Sequence, residues 1–166
     1  MKNKKEYMIV LYTILALMIN LCGRTLADKL ALPIWCDSIG TFLMAYFAGP
    51  VCGAVVGFTG VIVYGTFVGQ KLIYCIVGAL LGAIVGYFAK KKVFETRFAT
   101  MTFGMGLAVF STIVAVTINI VMFEGKSGNV WGDHVMLLCI DNGFPRLFSY
   151  VIDQFCVEFL DKLISV

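Results

Sequence analysis

Six long apolar runs, separated by short polar knots, make up most of this chain: residues 7–27, 33–48, 51–68, 72–89, 98–123 and 143–164. Most approach the roughly 20 residues that cross a bilayer as a helix. The pattern predicts an all-α polytopic membrane protein with six transmembrane helices in one integral membrane domain, residues 1–166. Arg24, Asp28 and Lys29 mark a wet end of the first helix. Pro33 can open the second, because a first helical turn loses nothing when an N–H is missing. Trp35 and Asp37 then fall in that opening turn, where a carboxylate meets the favourable end of the helix dipole. Gly49-Pro50 breaks the second helix from the third, Gly69-Gln70-Lys71 is short enough to force a hairpin, and Lys90–Lys92 close the fourth helix. The stretch Gly125–Asn142 is rich in turn formers and reads as a loop. Val135–Ile140 within it is apolar and suits either a short helix or a segment dipping into the protein.

The middle of the chain carries a glycine ladder. Gly49, Gly53, Gly57, Gly65 and Gly69 recur at four-residue spacing with Val61 as the interruption, and Gly78, Gly82 and Gly86 form a second ladder. Residues four apart share a helix face. In lipid, where association depends on close contact, a groove of small residues lets another backbone approach. Gly53, Gly57, Gly65, Gly78, Gly82 and Gly86 are therefore expected to pack helices.

Composition agrees with a membrane setting. Of the 166 residues 60% are hydrophobic and 14% charged, with mean hydropathy +0.93, against about 25% charged in soluble domains. A net charge of +3, scattered along the chain, gives no nucleic-acid footprint. The six cysteines form no CxxC pair and no zinc spacing, so no metal or cofactor is expected. The first run is long and lacks a small-x-small cleavage site, unlike a signal peptide. An even number of crossings puts both termini on one side. Lys2, Lys4 and Lys5 then share that side with Lys90–Lys92 and Arg97, which the positive-inside rule makes cytoplasmic. A re-entrant second segment would leave five crossings and part the two basic clusters.

Polar and aromatic residues collect toward the outer ends of the predicted helices. Trp35, Asp37, Tyr64, Lys71, Tyr74, Asn119, Asn129, Trp131, Asp133 and His134 are the candidate ligand-binding residues. Ligand sites pair apolar and aromatic walls with a few placed polar groups. Trp35 and Trp131 suit stacking on a flat ring, and Asp37, Lys71, Asn129 and Asp133 suit fixing its orientation. Trp and Tyr at these depths also serve as interface anchors. His134 is the only histidine, and no nucleophile motif, HExxH, P-loop or GxGxxG accompanies it, so the chain is not expected to be an enzyme. Asp153, Glu158 and Asp161 in the last run keep that helix from simply facing lipid. Asp153 suits either ion coupling or a structural pair, for instance with Arg146.

The run LPIWCDSIGTFLMAYFAGPVCGAVVGFTG, residues 32–60, resembles the second and third helices of the substrate-binding S components of energy-coupling factor (ECF) transporters. The SGNVWGD stretch, Ser127–Asp133, and the acidic last helix are similar to an uncharacterised branch of that family. The resemblance implies a bacterial-type cell-membrane protein that captures a small organic micronutrient, such as a vitamin, from outside. It also implies partners: a transmembrane coupling subunit and two ATPase subunits that drive uptake. Loops after the first, third and fifth helices would cover the pocket. The AxxxA docking form of the first helix is replaced here by Ala16–Asn20 and Gly23–Ala27, and no riboflavin, thiamine, biotin or folate pattern is present. A sensory or interaction membrane domain and a stand-alone secondary porter remain the alternatives.

Overall fold

The computed structural model describes residues 2–69 and 71–166, with side chains from Glu6 onward within those ranges. Gln70, expected in the hairpin turn, and the side chains of Lys2, Lys4 and Lys5 lie outside the described residues. The described backbone is all-α, with seven α-helices: α1 (Lys2–Lys29), α2 (Ile39–Ala48), α3 (Pro50–Val68), α4 (Cys75–Ala89), α5 (Arg97–Phe123), α6 (Val130–Asp141) and α7 (Arg146–Ser165). Short 3-10 turns, Leu72–Tyr74 and Val93–Glu95, lead into α4 and α5.

Four helical stretches, Glu6–Lys29, Pro50–Val68, Leu72–Ala89 and Arg97–Phe123, are long and apolar enough to cross a membrane, which overturns the expected six. The second expected span shrinks to the ten residues of α2. At 1.5 Å per residue that is about 15 Å, half of a roughly 30 Å hydrocarbon core. Pro33 opens no helix, and Trp35 and Asp37 precede α2 instead of lying in its first turn. The physical reason is that Ala31 and Cys36 take left-handed backbone conformations (φ 48° and 55°), while the N–H groups of Trp35 and Cys36 bond to the Asp161 carboxylate of α7 instead of to a preceding turn. The sixth expected span is α7. It has 20 residues, but Asp153, Glu158, Asp161 and Lys162 interrupt its apolar character. Of the two readings of residues 135–140, the short helix is the one observed. They belong to α6, which Asn129 begins by accepting the N–H groups of Trp131 and Gly132 on its side-chain oxygen.

The two glycine ladders meet face to face. A Cβ on Gly57 would collide with the backbone of Gly78, one on Gly82 with Gly53, and one on Gly86 with Pro50. The pairing is antiparallel, and α3 and α4 share the most extensive contact in the fold. Gly65 is buried on the same helix. Phe42 and Ala45 of α2 join Val77, Leu81 and Val85 of α4 and Leu107 of α5 in the main apolar cluster, against which Val166 also packs.

The bundle has two distinct ends. Gly49 and Pro50 lie beside Lys90 and Gly86, and Gly104 lies beside Leu163 and Val166, at one end. Asp28 with Tyr64, and Lys71 with Lys126, occupy the other. Burial is inverted relative to a protein bathed in water. Phe67 and Phe98 are more than 80% exposed, whereas Asn20, Arg24, Asp153, Glu158, Asp161 and Lys162 are all buried. On α7 Asp153, Glu158, Asp161 and Lys162 face inward while Leu147, Val151, Leu160 and Ile164 face out, and the one exposed charge is Arg146 at the helix start. A continuous apolar exterior of this extent needs a cover, and charges turned inward are the arrangement found inside a bilayer.

Candidate binding cavity

Between the helices lies a cavity of about 270 Å³. Its walls come from α1, the irregular segment before α2, α2 itself, α3, the turn into α4, α4, α5, the Ser127–Gly128 segment and α7. Among the residues singled out from the sequence, Trp35, Asp37, Tyr64, Lys71 and Tyr74 line it. Asn119 stands one layer behind, accepting a hydrogen bond from the Tyr74 hydroxyl and donating to Gln154 Oε1 at 3.1 Å. Asn129, Trp131 and Asp133 belong to the segment that roofs the cavity. His134 is exposed on α6 and makes no hydrogen bond among the described residues.

Sequence reasoning left Asn20, Arg24, Thr41, Gln154, Glu158 and Lys162 out of the candidate set, yet all line the cavity. Their signal was present as helical spacing. Asn20 and Arg24 are four apart in an otherwise apolar run, as are Gln154 and Glu158, and Glu158 and Lys162; such pairs share a face.

Around this cavity the polar groups form one connected chain. From Gln154, Nε2 donates to Glu158 Oε1 at 3.0 Å. Glu158 Oε2 accepts from Ser111 Oγ at 2.6 Å and pairs with Lys162 Nζ at 3.1 Å. Lys162 Nζ donates further to Asp161 at 2.6 Å and to Ser38 Oγ at 3.2 Å. Ser38 donates to Asp37, whose other oxygen accepts from Arg24 Nη1 at 3.2 Å. Arg24 Nε lies 3.4 Å from Asp28 Oδ1, too poorly aligned to count as a hydrogen bond, and Tyr64 donates to Asp28 Oδ2 at 2.5 Å. Buried charges are tolerated when paired and fully hydrogen-bonded, and this chain meets that condition for most of its members. The Arg24 guanidinium also lies 4.1 Å from the centre of the Trp35 ring and 5.5 Å from that of Tyr64, the geometry of a cation–π contact.

The roof is tied down from two sides. Lys71 Nζ donates to the Lys126 carbonyl at 2.6 Å and lies 3.9 Å over the Phe123 ring. Asn129 Nδ2 donates to the Leu32 carbonyl at 3.2 Å, and Trp131 Nε1 to the Ala31 carbonyl at 2.5 Å. Trp131 is thus an anchor for the segment after α1 and does not line the cavity. Replacing it with Phe keeps the apolar ring and removes one hydrogen bond. That change is expected to lower stability by about 1 kcal/mol, read as a thermal shift of roughly 2–4 °C for a chain of this length. A loss as large as that of a buried charge would contradict this anchoring role.

Burial pulls the Lys71 ammonium pKa below its ordinary value, partly offset by the nearby Asp133 and Asp153 carboxylates. Burial also pushes the Cys36 thiol up, with Asp161 and Asp37 adding to the shift. Cys36 is therefore held as a thiol and not as the reactive thiolate. Among the described residues no group of three His, Cys, Asp or Glu side chains converges to hold a metal.

Of the alternatives for Asp153, the pair with Arg146 does not form. Asp153 is fully buried under the roof, with Oδ1 at 3.1 Å from Ser127 Oγ. Comparison with protein-family models, with curated proteins and with solved structures gave no match for this chain.

Proposed function

We propose that this chain is a membrane-embedded binding subunit that captures a small polar organic nutrient from the side opposite Lys90–Lys92, for ATP-driven uptake through a partner coupling module. The observation that carries this reading is the cavity itself: aromatic Trp35, Tyr64 and Tyr74 and charged Arg24, Asp37 and Glu158 converge on one space inside an apolar-faced bundle. At about 270 Å³ it lies just under the roughly 300–1,000 Å³ usual for ligand pockets, which favours a small vitamin-like molecule over a nucleotide-sized one. The chain carries no phosphate-binding loop, so energy comes from elsewhere. The resemblance of residues 32–60 to ECF S components makes a transmembrane coupling subunit with two ATPase subunits the partner of choice. Under the positive-inside rule the Lys90–Lys92 end, with both chain termini, faces the cytoplasm of a bacterial-type cell membrane.

Native mass spectrometry of the gently purified chain tests this reading. One co-purifying small molecule is expected on the wild-type protein. Asp37→Asn and Trp35→Ala are each expected to cut its occupancy by about tenfold or more, equivalent to about 1.4 kcal/mol, while the protein stays folded. Equal occupancy in wild type and both variants would remove the cavity as the binding site.

A further inference from the structure

The cluster beneath the roof has more acceptors than protons. Ser127 Oγ lies 3.0 Å from Asp133 Oδ1 and 3.1 Å from Asp153 Oδ1, and it also accepts the Asn129 N–H at 3.2 Å. A serine hydroxyl has one proton to donate and two lone pairs to offer. It cannot donate to both carboxylates. Asp133 Oδ1 already accepts the N–H groups of Ser127 and Gly128, at 2.9 Å and 3.3 Å, so it is an acceptor in this turn and takes the hydroxyl proton at the shorter of the two Ser127 contacts. The contact between Ser127 and Asp153 then needs a proton supplied by Asp153. Asp153 is 0% exposed, and its Oδ2 has no hydrogen-bond partner among the described residues. A neutral acid with one bare carbonyl oxygen is far cheaper to bury than a carboxylate with half its charge unpartnered. Gly132 makes room for the group, since a Cβ there would collide with the Asp153 carboxyl.

We propose that Asp153 is a proton-binding site and that its proton latches the roof of the cavity shut by donating to Ser127. Ser127 and Gly128 line the cavity. The segment they sit on is the one gripped by Lys71 and anchored through Asn129 and Trp131. Loss of the proton leaves two carboxylates, Asp133 and Asp153, facing one hydroxyl. The Ser127–Asp153 contact becomes repulsive and the roof loses its tie to α7. The titratable groups around Asp153 are Asp133 on α6, Lys71 and Tyr74 before α4, and Cys156 on α7 itself. α5 and α2 also pack against α7; the titratable side chains they carry are Arg97, at the opposite end of α5, and Tyr46 of α2, beside Phe94. Lys71 holds the roof separately, through hydrogen bonds from Nζ to the Lys126 and Ser127 carbonyls. The site is a proton site and does not depend on the identity of the cavity's ligand.

Infrared difference spectroscopy on the intact chain reads the proton directly. At neutral pH a protonated carboxylic acid carbonyl band is expected in the wild type, lost on raising the pH and missing from Asp153→Asn. Asparagine keeps the shape and can donate to Ser127, so this variant mimics the latched state and is expected to fold. In a Trp35→Phe background, Trp131 emission reports the roof. A shift with rising pH is expected while Asp153 is present, and its complete loss in Asp153→Asn. The proposal is overturned if the wild type has no acid band that Asp153→Asn removes. It is equally overturned if the emission shift persists in Asp153→Asn, or if the site proves ionised and its stability follows sodium instead of pH.

Discussion

Gly57→Ala and Gly82→Ala are expected to destabilise the protein by about 1–3 kcal/mol each, or to prevent folding, while Gly106→Ala is expected to leave it unchanged or raise its stability by up to about 1 kcal/mol. All three changes add one methyl group to a helix interior, so helix propensity favours alanine every time. What separates them is the neighbour. The added carbon on Gly57 meets the carbonyl of Gly78, and the one on Gly82 meets the carbonyl of Gly53. These obstacles are backbone atoms of the facing helix and cannot rotate away, so α3 and α4 must separate along their length. Separation forfeits the close backbone contacts, including Cα–H···O=C approaches, that replace the hydrophobic effect as the source of association in lipid. At Gly106 nothing lies within 4 Å. Thermal unfolding in one detergent checks the pair, at roughly 2–4 °C per kcal/mol. Equal shifts at Gly57 and Gly106 would refute the ladder as the basis of helix packing.

Lys162→Met is expected to cost about 3–5 kcal/mol, the range seen when one partner of a buried ion pair is removed. The ammonium has three protons, and the structure gives it three acceptors: Asp161 Oδ2, Glu158 Oε2 and Ser38 Oγ. Without it, two buried carboxylates face each other with no cation between them. The effect spreads, because Asp161 Oδ1 is the acceptor for the N–H groups of Trp35 and Cys36, at 3.2 Å and 2.6 Å. Irregular backbone inside a membrane protein survives only where such partners satisfy it. Glu158→Gln on top of Lys162→Met removes one of the stranded charges. The double variant is therefore expected to be markedly more stable than the sum of the single losses requires, a coupling of order 0.5–3 kcal/mol. Strict additivity in a double-mutant cycle would show that Lys162 and Glu158 do not act as a pair.

The second apolar run shows where reading the chain alone stops. Ile34–Ala48 has the hydrophobicity of a helix, and Pro33 is a reasonable first residue for one. The helix nevertheless starts at Ile39, because the acceptors for residues 35 and 36 come from Asp161, far along the chain. No local pattern announces that partner. The same distance hides the meaning of the acids in the last run. Asp153, Glu158 and Asp161 were visible as exceptions to an apolar helix, but their roles differ according to what each meets: Ser127 under the roof, Ser111 and Lys162 in the core, and the backbone before α2. Trp131 was a candidate for stacking on a ring and His134, the only histidine, a candidate polar group beside Asp133. Both are exposed, and only Trp131 is tied down, donating to a carbonyl of a different loop.

By itself the sequence determined that the chain is helical and built for lipid, that its long apolar runs break at Gly49-Pro50, Gly69 and Lys90–Lys92, and that glycines at four-residue spacing mark close helix contact. These features depend on hydrophobic burial and backbone propensity, which act between near neighbours in sequence. Only the tertiary structure decided how many runs have the length and apolar character to cross, which polar residues share one cavity, and which carboxyl group is buried with one oxygen unpartnered among the described residues. Those depend on pairing between charges and backbone groups separated by much of the chain. In a low-dielectric interior each such group must find a partner, and the fold chooses which one.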